Sequence, residues 1–355
     1  MSSGHLSQLP ALLLDWYDRS ARTMPWRVCK QPYRIWVSEV MLQQTRVETV
    51  IPYFNRFVEA LPDVAALANA SEELLLALWE GLGYYNRVRN MKRAAVIVVE
   101  RHGGELPAHF DALLALPGVG RYTAGAIASI AFGLPYPAVD GNVLRVFSRL
   151  AGSAEDVTLQ QTKASVARMV QALLPDDRVG DFNQAVMELG ATVCIPGAEA
   201  RCDVCPAEAM CLARATGVQA TLPRRGKKRA RRSEARSVIL FVDELGCLAL
   251  RRRQANGLLA GLWEPYQFEG RATEAAISEM LAEWGLTSVP APLADAVHLF
   301  THMEWHMSGW TVPVREREKA LLPSELVWVD LAQRDGAYAL PSAFLPFISQ
   351  LSAGR

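Results

Sequence analysis

Four of the six cysteines lie close together in the chain, and their spacing indicates chemistry. They are Cys194, Cys202, Cys205 and Cys211, in the pattern C-x7-C-x2-C-x5-C. Four thiolates can hold a zinc ion or an iron–sulfur cluster. Zinc sites usually pair two C-x2-C knuckles, and this pattern contains one, so the cluster is favoured over zinc. The other two, Cys29 and Cys247, stand alone and are expected to be small core residues.

A glycine-rich turn, LPGVGRYTAG at 116–125, precedes a stretch with helical periodicity. We expect a short helix at Asp111–Leu116, a reversal at PGVG, and a second helix from about Arg121. Glycine lets backbone N–H groups approach a ligand closely, and N–H groups at the start of a helix suit phosphate. The pattern predicts two helices joined by a turn that either packs them together or holds an anion.

A single aspartate, Asp140, lies directly before another apolar-periodic stretch in the segment YPAVDGNVLRV. Aspartate is common at this position because its carboxylate accepts hydrogen bonds from the first N–H groups of the helix. Taken alone, Asp140 is therefore predicted to be an N-cap.

The organisation of the chain changes near residue 216. Residues 9–215 have apolar residues at helical spacing, interrupted by proline and glycine. Residues 224–236 contain eight Lys or Arg and one Glu, which predicts a solvated linker or a phosphate-contacting tether. Beyond residue 236, alternating strands and one helix ending at Gly285 predict a separate α+β domain. A length of 355 residues also favours two or three domains.

These features in combination resemble the helix-hairpin-helix glycosylase superfamily, because LPGVG is followed by a helix and by Asp140, 20 residues after Gly120. Further segments resemble the MutY family of adenine DNA glycosylases: PWR at 25–27, VSEVMLQQT at 37–45, GLGYYNRVRN at 81–90, DGNV at 140–143 and FNQAVMELG at 182–190. The resemblance covers nearly the whole chain.

The resemblance implies a multidomain fold, with an all-α helix-hairpin-helix glycosylase core followed by an α+β MutT/Nudix-like domain. The implied parts are a six-helix domain at 31–136 containing the hairpin at 111–133, an iron–sulfur helical domain from 1–30 and 137–215, a basic linker at 216–235, and the MutT/Nudix-like domain at 236–350.

The same resemblance assigns the catalytic residues. Glu39 would protonate adenine N7 and later help to activate water, while Asp140 would stabilise the sugar cation or trap it covalently. Tyr122 and Asn142 would orient these carboxylates. Lyase relatives carry lysine where Tyr122 stands, so we expect base removal without strand cleavage.

Binding residues are carried over in the same way. Those for the adenine pocket are Trp26, Arg27, Gln184 and Glu188. Those for DNA are Leu42, Gln44 and Tyr84, which would fill or open the base stack, and Gly118 and Gly120, which would hold phosphate. Those for 8-oxoguanine are Phe300, Thr301 and His302, where the family pattern is Phe-Ser-His.

For the cysteines, the family implies a [4Fe–4S] cluster with a structural and DNA-binding role. The usual family spacing begins C-x6-C, so the first loop of this chain carries one extra residue. Arg201, inside that loop, could reach a phosphate.

The expected function is that of a monofunctional adenine DNA glycosylase in base excision repair, acting on adenine paired with 8-oxoguanine or guanine. Two alternatives remain: an endonuclease III-type pyrimidine-lesion glycosylase and lyase, and a noncatalytic DNA-binding protein.

The net charge and the hydropathy of the chain say little about which of these functions is correct. The 37 basic and 37 acidic residues balance, which neither supports nor excludes a nucleic-acid partner. The N-terminus is a poor signal peptide, and no apolar run is long enough to span a bilayer. We expect a monomeric, cytoplasmic protein whose partner is mispaired double-stranded DNA and not a membrane.

Overall fold

The structure is a computed structural model that describes residues 3–226, 230–331 and 338–353. Contacts divide the chain into two compact units. The first comprises Met1–Ala70 and Arg87–Lys227, and the second comprises Ser71–Asn86 and Lys228–Arg355. In the described part of the chain, no helix combines the length and apolar character that crossing a membrane requires.

The first unit is helical, as the periodicity of residues 9–215 predicts. Its helices are α1 (Leu9–Ser20), α2 (Pro32–Met41), α3 (Val47–Ala60), α4 (Val64–Asn69), α6 (Asn86–His102), α7 (Phe110–Leu114), α8 (Arg121–Phe132), α9 (Gly141–Leu150), α10 (Gln160–Gln171), α11 (Val179–Thr192) and α12 (Leu212–Ala215). Helix α5 (Glu72–Trp79) falls in the second unit. The predicted hairpin is present as α7, the glycine turn and α8.

Small residues let α8 approach its neighbours closely. A Cβ added at Gly125 would lie 2.3 Å from the carbonyl oxygen of Pro137, and one added at Gly180 of α11 would lie 2.6 Å from Cα of Ile130. Real Cβ atoms do not make such contacts, so glycine is required at both crossings. This packing fixes the hairpin against the segment that leads to Asp140.

The second unit contains a mixed sheet and helices, which agrees with the α+β domain that the sequence predicts. Its strands are β1 (Arg232–Asp243), β2 (Leu248–Arg252), β3 (Trp263–Glu264), β4 (Tyr266–Glu269), β5 (Ala291–Leu299), β6 (Met303–Val314) and β7 (Val327–Val329), and its C-terminal helices are α13 (Glu274–Glu283) and α14 (Leu345–Ala353). Strand β1 pairs in parallel with β6 along its whole length, from Arg232 opposite Met303 to Asp243 opposite Val314. Strands β5 and β6 form an antiparallel hairpin whose tip is residues 300–302.

Both faces of this sheet are covered. Val238 and Leu240 belong to a cluster with Phe344 and Phe347, beside α14. Ile239 and Phe241 belong to a cluster with Ile277 and Leu281 of α13. Because side chains alternate along a strand, β1 supplies both cores.

The predicted linker at 216–235 differs from what the structure shows at both ends. Strand β1 already begins at Arg232, since residues 232–235 pair with β6. Leu222 is buried, and the N–H of Val157 donates to the carbonyl of Arg224 at 3.1 Å. Composition alone could not predict the pairing of residues 232–235 or the contacts of Leu222 and Arg224, because both depend on residues far away in the chain. Residues 227–229 of the basic run lie outside the described residues.

Candidate active site

A pocket of about 940 Å³ opens in the first unit. Its lining includes twelve residues of this unit for which the sequence predicts a role in catalysis, adenine binding or DNA contact: Trp26, Arg27, Glu39, Leu42, Gln44, Gly118, Gly120, Tyr122, Asp140, Asn142, Gln184 and Glu188. The structure therefore brings together residues that are up to about 160 positions apart in the chain. Their individual roles stay predictions.

Glu39 lies on α2 and is 6% exposed. The Tyr122 hydroxyl donates a hydrogen bond to its Oε2, which leaves Oε1 without a partner in the described part of the chain. Burial raises the pKa of Glu39 to about 7, the negative charge of Asp140 adds to this, and the bond from Tyr122 partly offsets it. Glu39 can therefore hold a proton near neutral pH.

Asp140 is both an N-cap and a member of the pocket. Its Oδ1 accepts from the N–H of Val143 at 2.7 Å, and its Oδ2 accepts from Nδ2 of Asn142 at 2.8 Å. Burial raises the pKa of this carboxyl, whereas these hydrogen bonds favour the ionised form. The N-cap prediction for Asp140 is confirmed, and the capping carboxylate also lines the pocket, where its catalytic role stays a prediction.

A chain of hydrogen bonds leads away from Asp140. Asn142 accepts at Oδ1 from Arg145 Nη2 at 2.8 Å. Nε of Arg145 donates to the carbonyl of Cys194 at 2.7 Å, and Nη2 also reaches the carbonyl of Gly190 at 2.7 Å. Arg145 thus joins the first turn of α9, directly after Asp140, to the backbone of the first clustered cysteine.

Tyr122 contacts one carboxyl group, that of Glu39, and lies close enough to Asp140 to be affected by its charge. Burial raises the pKa of its phenol well above the usual value, and the negative charges of Glu39 and Asp140 act in the same direction. Its hydroxyl also lies 3.5 Å from the sulfur of Met187. The side chain therefore stays protonated and can donate a hydrogen bond to Glu39.

Glu188 forms the centre of an ion-pair network that the sequence did not predict. It is 1% exposed and accepts three hydrogen bonds from Arg22, from Nε at 2.6 Å, Nη2 at 3.2 Å and the backbone N–H at 3.3 Å. A fourth comes from Arg27 Nη2 at 2.9 Å. Burial alone would raise the pKa of Glu188, but Arg22 and Arg27 lower it overall. Arg22 carried no signal in the sequence, since its partner is 166 residues away.

Gln184 lies one helical turn before Glu188 on α11, but the two side chains differ in their hydrogen bonding. Its side chain lines the same pocket and makes no hydrogen bond within the described part of the chain. A carboxylate accepts about four hydrogen bonds, so Glu188 is already saturated, whereas the amide of Gln184 has a free donor and a free acceptor. Gln184 is therefore the group of this pair that is free to bind a base.

The hairpin and the turn after α2 have unusual backbone conformations. Gly118 has φ +77°, and Gln44 has φ +61°. Gly120 caps α8 with φ −89° and an extended ψ. The N–H groups at the start of α8 are thus presented at the rim of the pocket, where a phosphate would be stabilised.

The second unit contains the other residues predicted to contact DNA, namely Tyr84 and the predicted 8-oxoguanine-binding residues 300–302. Tyr84 is 50% exposed with φ +50°, and its hydroxyl lies 3.1 Å from Oγ1 of Thr301. Phe300 packs edge-on between His298 and Trp305, with ring centroids 4.6 and 4.9 Å away. His302 completes the tip of the β5–β6 hairpin.

The four clustered cysteines line a second cavity in the first unit, of about 30 Å³. All are free thiols. Buried Arg149 donates to Sγ of Cys194 at 3.3 Å and to the carbonyl of Ile195 at 2.8 Å, so a positive charge lies beside the sulfur of Cys194. Arg201, predicted to reach phosphate, also lines this cavity. The prediction that Cys29 is a core residue is wrong: it is exposed, in the irregular segment between α1 and α2.

Known proteins resemble both units. Residues 37–172 match the HhH-GPD superfamily of base excision DNA repair proteins, and residues 237–350 match the NUDIX domain. A thermostable thymine-DNA glycosylase shares the helical fold with a TM-score of 0.54 and 26% identity, over 59% of this chain and 95% of that chain. Endonuclease III in a non-covalent DNA complex, with a TM-score of 0.50 and 23% identity over 60% and 97%, shows the same fold. The chain is thus a helix-hairpin-helix enzyme of base excision DNA repair with a Nudix domain.

Sequence relatives define the family more narrowly. Adenine DNA glycosylase of Rattus norvegicus is 36% identical over 351 residues, covering 82% of this chain and 68% of the relative. That of Mus musculus is 35% identical over 378 residues, covering 89% and 73%. That of Schizosaccharomyces pombe is 32% identical over 362 residues, covering 82% and 78%. The chain belongs to the adenine DNA glycosylase family, which confirms the predicted family and fold class.

Proposed function

We propose that this protein hydrolyses the N-glycosidic bond of adenine paired with 8-oxoguanine or guanine in DNA and leaves the strand uncut. One observation supports this most strongly. Glu39 and Asp140 line one pocket of about 940 Å³, and burial gives Glu39 a pKa of about 7. A group that holds its proton near neutral pH is suited to general acid catalysis.

In this mechanism the adenine leaves the duplex and enters the pocket, because its glycosidic bond is not accessible in the stack. Glu39 donates a proton to N7, which makes the base a better leaving group. Tyr122 donates to Oε2 of Glu39, so the proton is held on the oxygen that has no protein partner. After the base has left, the ionised Glu39 activates water.

Asp140 stabilises the positive charge that develops on the sugar, or forms a bond with it that water then hydrolyses. Its two oxygens are fixed by Val143 and Asn142, so it is held in place before the charge appears. Tyr122 supplies no amine, and a phenol cannot form the Schiff base on which a lyase depends. The product is therefore free adenine and an intact abasic strand.

Binding roles follow from the same pocket. We assign adenine contacts to Trp26, Arg27 and Gln184, with Glu188 fixing Arg27 from behind. Gly118 and Gly120 hold phosphate, and Leu42, Gln44 and Tyr84 enter the stack. In the second unit, Phe300, Thr301 and His302 recognise the 8-oxoguanine opposite the adenine.

Adenine DNA glycosylases and endonuclease III-like proteins are generally iron–sulfur proteins. We propose that Cys194, Cys202, Cys205 and Cys211 hold a [4Fe–4S] cluster. The four thiols line one cavity against Arg149, although among the described residues no His, Cys, Asp or Glu group is arranged around a single metal ion. Four cysteine thiolates are the ligand set of such a cluster. When bound, the cluster would give structural support to the segment that carries the four cysteines.

A single-turnover assay tests this function. Adenine opposite 8-oxoguanine and adenine opposite guanine are compared with duplexes carrying thymine or cytosine mispairs, for the wild-type chain, Glu39→Gln and Asp140→Asn. We expect adenine release by the wild type, and a loss of about 10³-fold or more in both variants, since each removes one of two essential groups. Strand breaks must appear only after alkaline treatment. Substantial activity in either variant, or strand breaks without alkali, would contradict the assignment.

A further inference from the structure

Arg87 lies in the segment GLGYYNRVRN and has no role in the mechanism above. Its side chain reaches across to the turn that follows α2. Nη1 lies 2.8 Å from the carbonyl oxygen of Val40, 2.9 Å from that of Met41 and 2.7 Å from that of Gln43. Nη2 lies 3.5 Å from Oγ1 of Thr45. One guanidinium therefore contacts both sides of the turn that carries Leu42 and Gln44.

These contacts stabilise the turn in two ways. The last carbonyls of a helix have no partner within the helix, and a positive charge there is stabilising. Gln44 has φ +61°, a conformation that a residue with a side chain keeps only when its surroundings hold it. Arg87 satisfies carbonyls before and within the turn and so holds this conformation.

The same helix also supports the hairpin. Asn90, one turn after Arg87 on α6, packs against Gly118: a Cβ added there would lie 2.6 Å from Cβ of Asn90. Gln43, Arg87, Asn90 and Gly118 all line one small cavity of about 50 Å³. Helix α6 thus supports both the turn and the hairpin, the two segments of the first unit proposed to contact DNA.

We infer that Arg87 is a positioning residue for base extrusion, holding the turn at residues 42–44 in the shape that enters the duplex as adenine leaves it. This inference rests on the proposed function. Lysine would keep the charge but not the effect, because an ammonium group is a point charge without the planar set of donors that spans several carbonyls. Loss of the Arg87 contacts should therefore slow extrusion of the adenine and leave the chemical step at Glu39 unchanged.

The experiment compares wild type, Arg87→Lys and the control Arg101→Lys, which changes an exposed arginine near the end of the same helix. Each is assayed under single-turnover conditions on two duplexes. One has normal flanking pairs around the adenine, and the other has a mismatch on each side, so that extrusion costs less. A third duplex carries 2-aminopurine at the target position to report extrusion by fluorescence.

We expect Arg87→Lys to slow release about tenfold on the normal duplex and clearly less on the mismatched one, with a smaller fluorescence rise. Arg101→Lys should match the wild type. Should Arg87→Lys fail to fold, Arg87→Gln, which keeps one donor, takes its place. An equal loss on both duplexes, or wild-type behaviour of the variant, would overturn the inference. A wild type that releases no adenine would instead overturn the proposed function.

Discussion

At the scale of residues, Glu39 and Asp140 share a pocket but differ in their partners. Asp140 accepts hydrogen bonds on both oxygens, whereas Glu39 receives one, from Tyr122. Burial disfavours the charge on both, but only Asp140 has several donors to offset this cost. These different surroundings support the proposed roles, in which Glu39 is the acid and Asp140 the anion.

This arrangement makes stability depend on pH. The folded-state pKa of Glu39 is raised from 4.5 to about 7, so the folded chain binds this proton more tightly than the unfolded chain does. The resulting stability is fully present below about pH 4.5 and is lost as the pH rises through about 7. At about pH 8.5 the loss approaches about 3 kcal/mol.

We therefore expect Glu39→Gln, which cannot ionise, to gain stability relative to the wild type between about pH 5.5 and about pH 8.5. Thermal unfolding at both pH values measures this. Glu100→Gln, at an exposed position on α6, is the control and should show no such gain. If the unfolding temperatures of the wild type and Glu39→Gln changed in parallel with pH, Glu39 would not be held protonated in the folded chain.

At the scale of elements, the glycines of the hairpin are not equivalent. Gly118 combines a positive φ with a close contact to Asn90, whereas Gly120 has a negative φ and no atom within 4 Å of an added Cβ. The two positions lie in one turn, so each serves as a control for the other.

We expect Gly118→Ala to destabilise the chain by about 1–3 kcal/mol and to weaken duplex binding, because alanine is strained at this φ and displaces Asn90. Gly120→Ala should change the stability of the chain and the free energy of duplex binding by only a few tenths of a kcal/mol. Binding measured at several salt concentrations checks the cause: loss of a phosphate contact lowers the salt dependence. Equal effects of the two substitutions would contradict this account of the hairpin.

The sequence was most informative where a pattern is local. Helical periodicity predicted the first unit, the segment SVILFVDELGCLALRRR predicted two strands joined by a turn, as β1 and β2 show, and Gly285, with φ +79°, ends α13 as expected. The family motifs selected residues that line one pocket. Arg22 and Arg87 were missed because their roles depend on partners far away in the chain, and in the sequence such an arginine resembles any exposed one.

At the scale of the whole molecule, the boundary after the helical unit lies later than composition indicates. Leu222 is 4% exposed, and its carbonyl accepts from Nε of buried Arg149 at 3.0 Å. Residues 71–86, predicted to belong to the six-helix domain, cluster with the second unit. Truncation near residues 215 and 226 therefore tests which residues the helical unit needs.

We expect a chain that ends after Gly226 to keep weak adenine release while losing preference for 8-oxoguanine, since Phe300, Thr301 and His302 are removed. A chain that ends after Ala215 should melt at a lower temperature, because it also loses Leu222, whose burial contributes about 2 kcal/mol. Melting curves and release rates of the two truncated chains test this together. An unchanged preference in the longer one would contradict the role of the 300–302 tip.

The parallel pairing of β1 with β6 has a consequence for how the chain is made. Arg232 meets Met303 only after about 70 further residues have been synthesised. Strands β2 and β4 pair along one edge of β1, but its other edge has to wait for β6. At typical rates of ~5–20 residues per second, that apolar strand stays open on the ribosome for several seconds. The helical unit, whose contacts are complete by then, is thus the first part of the molecule to mature.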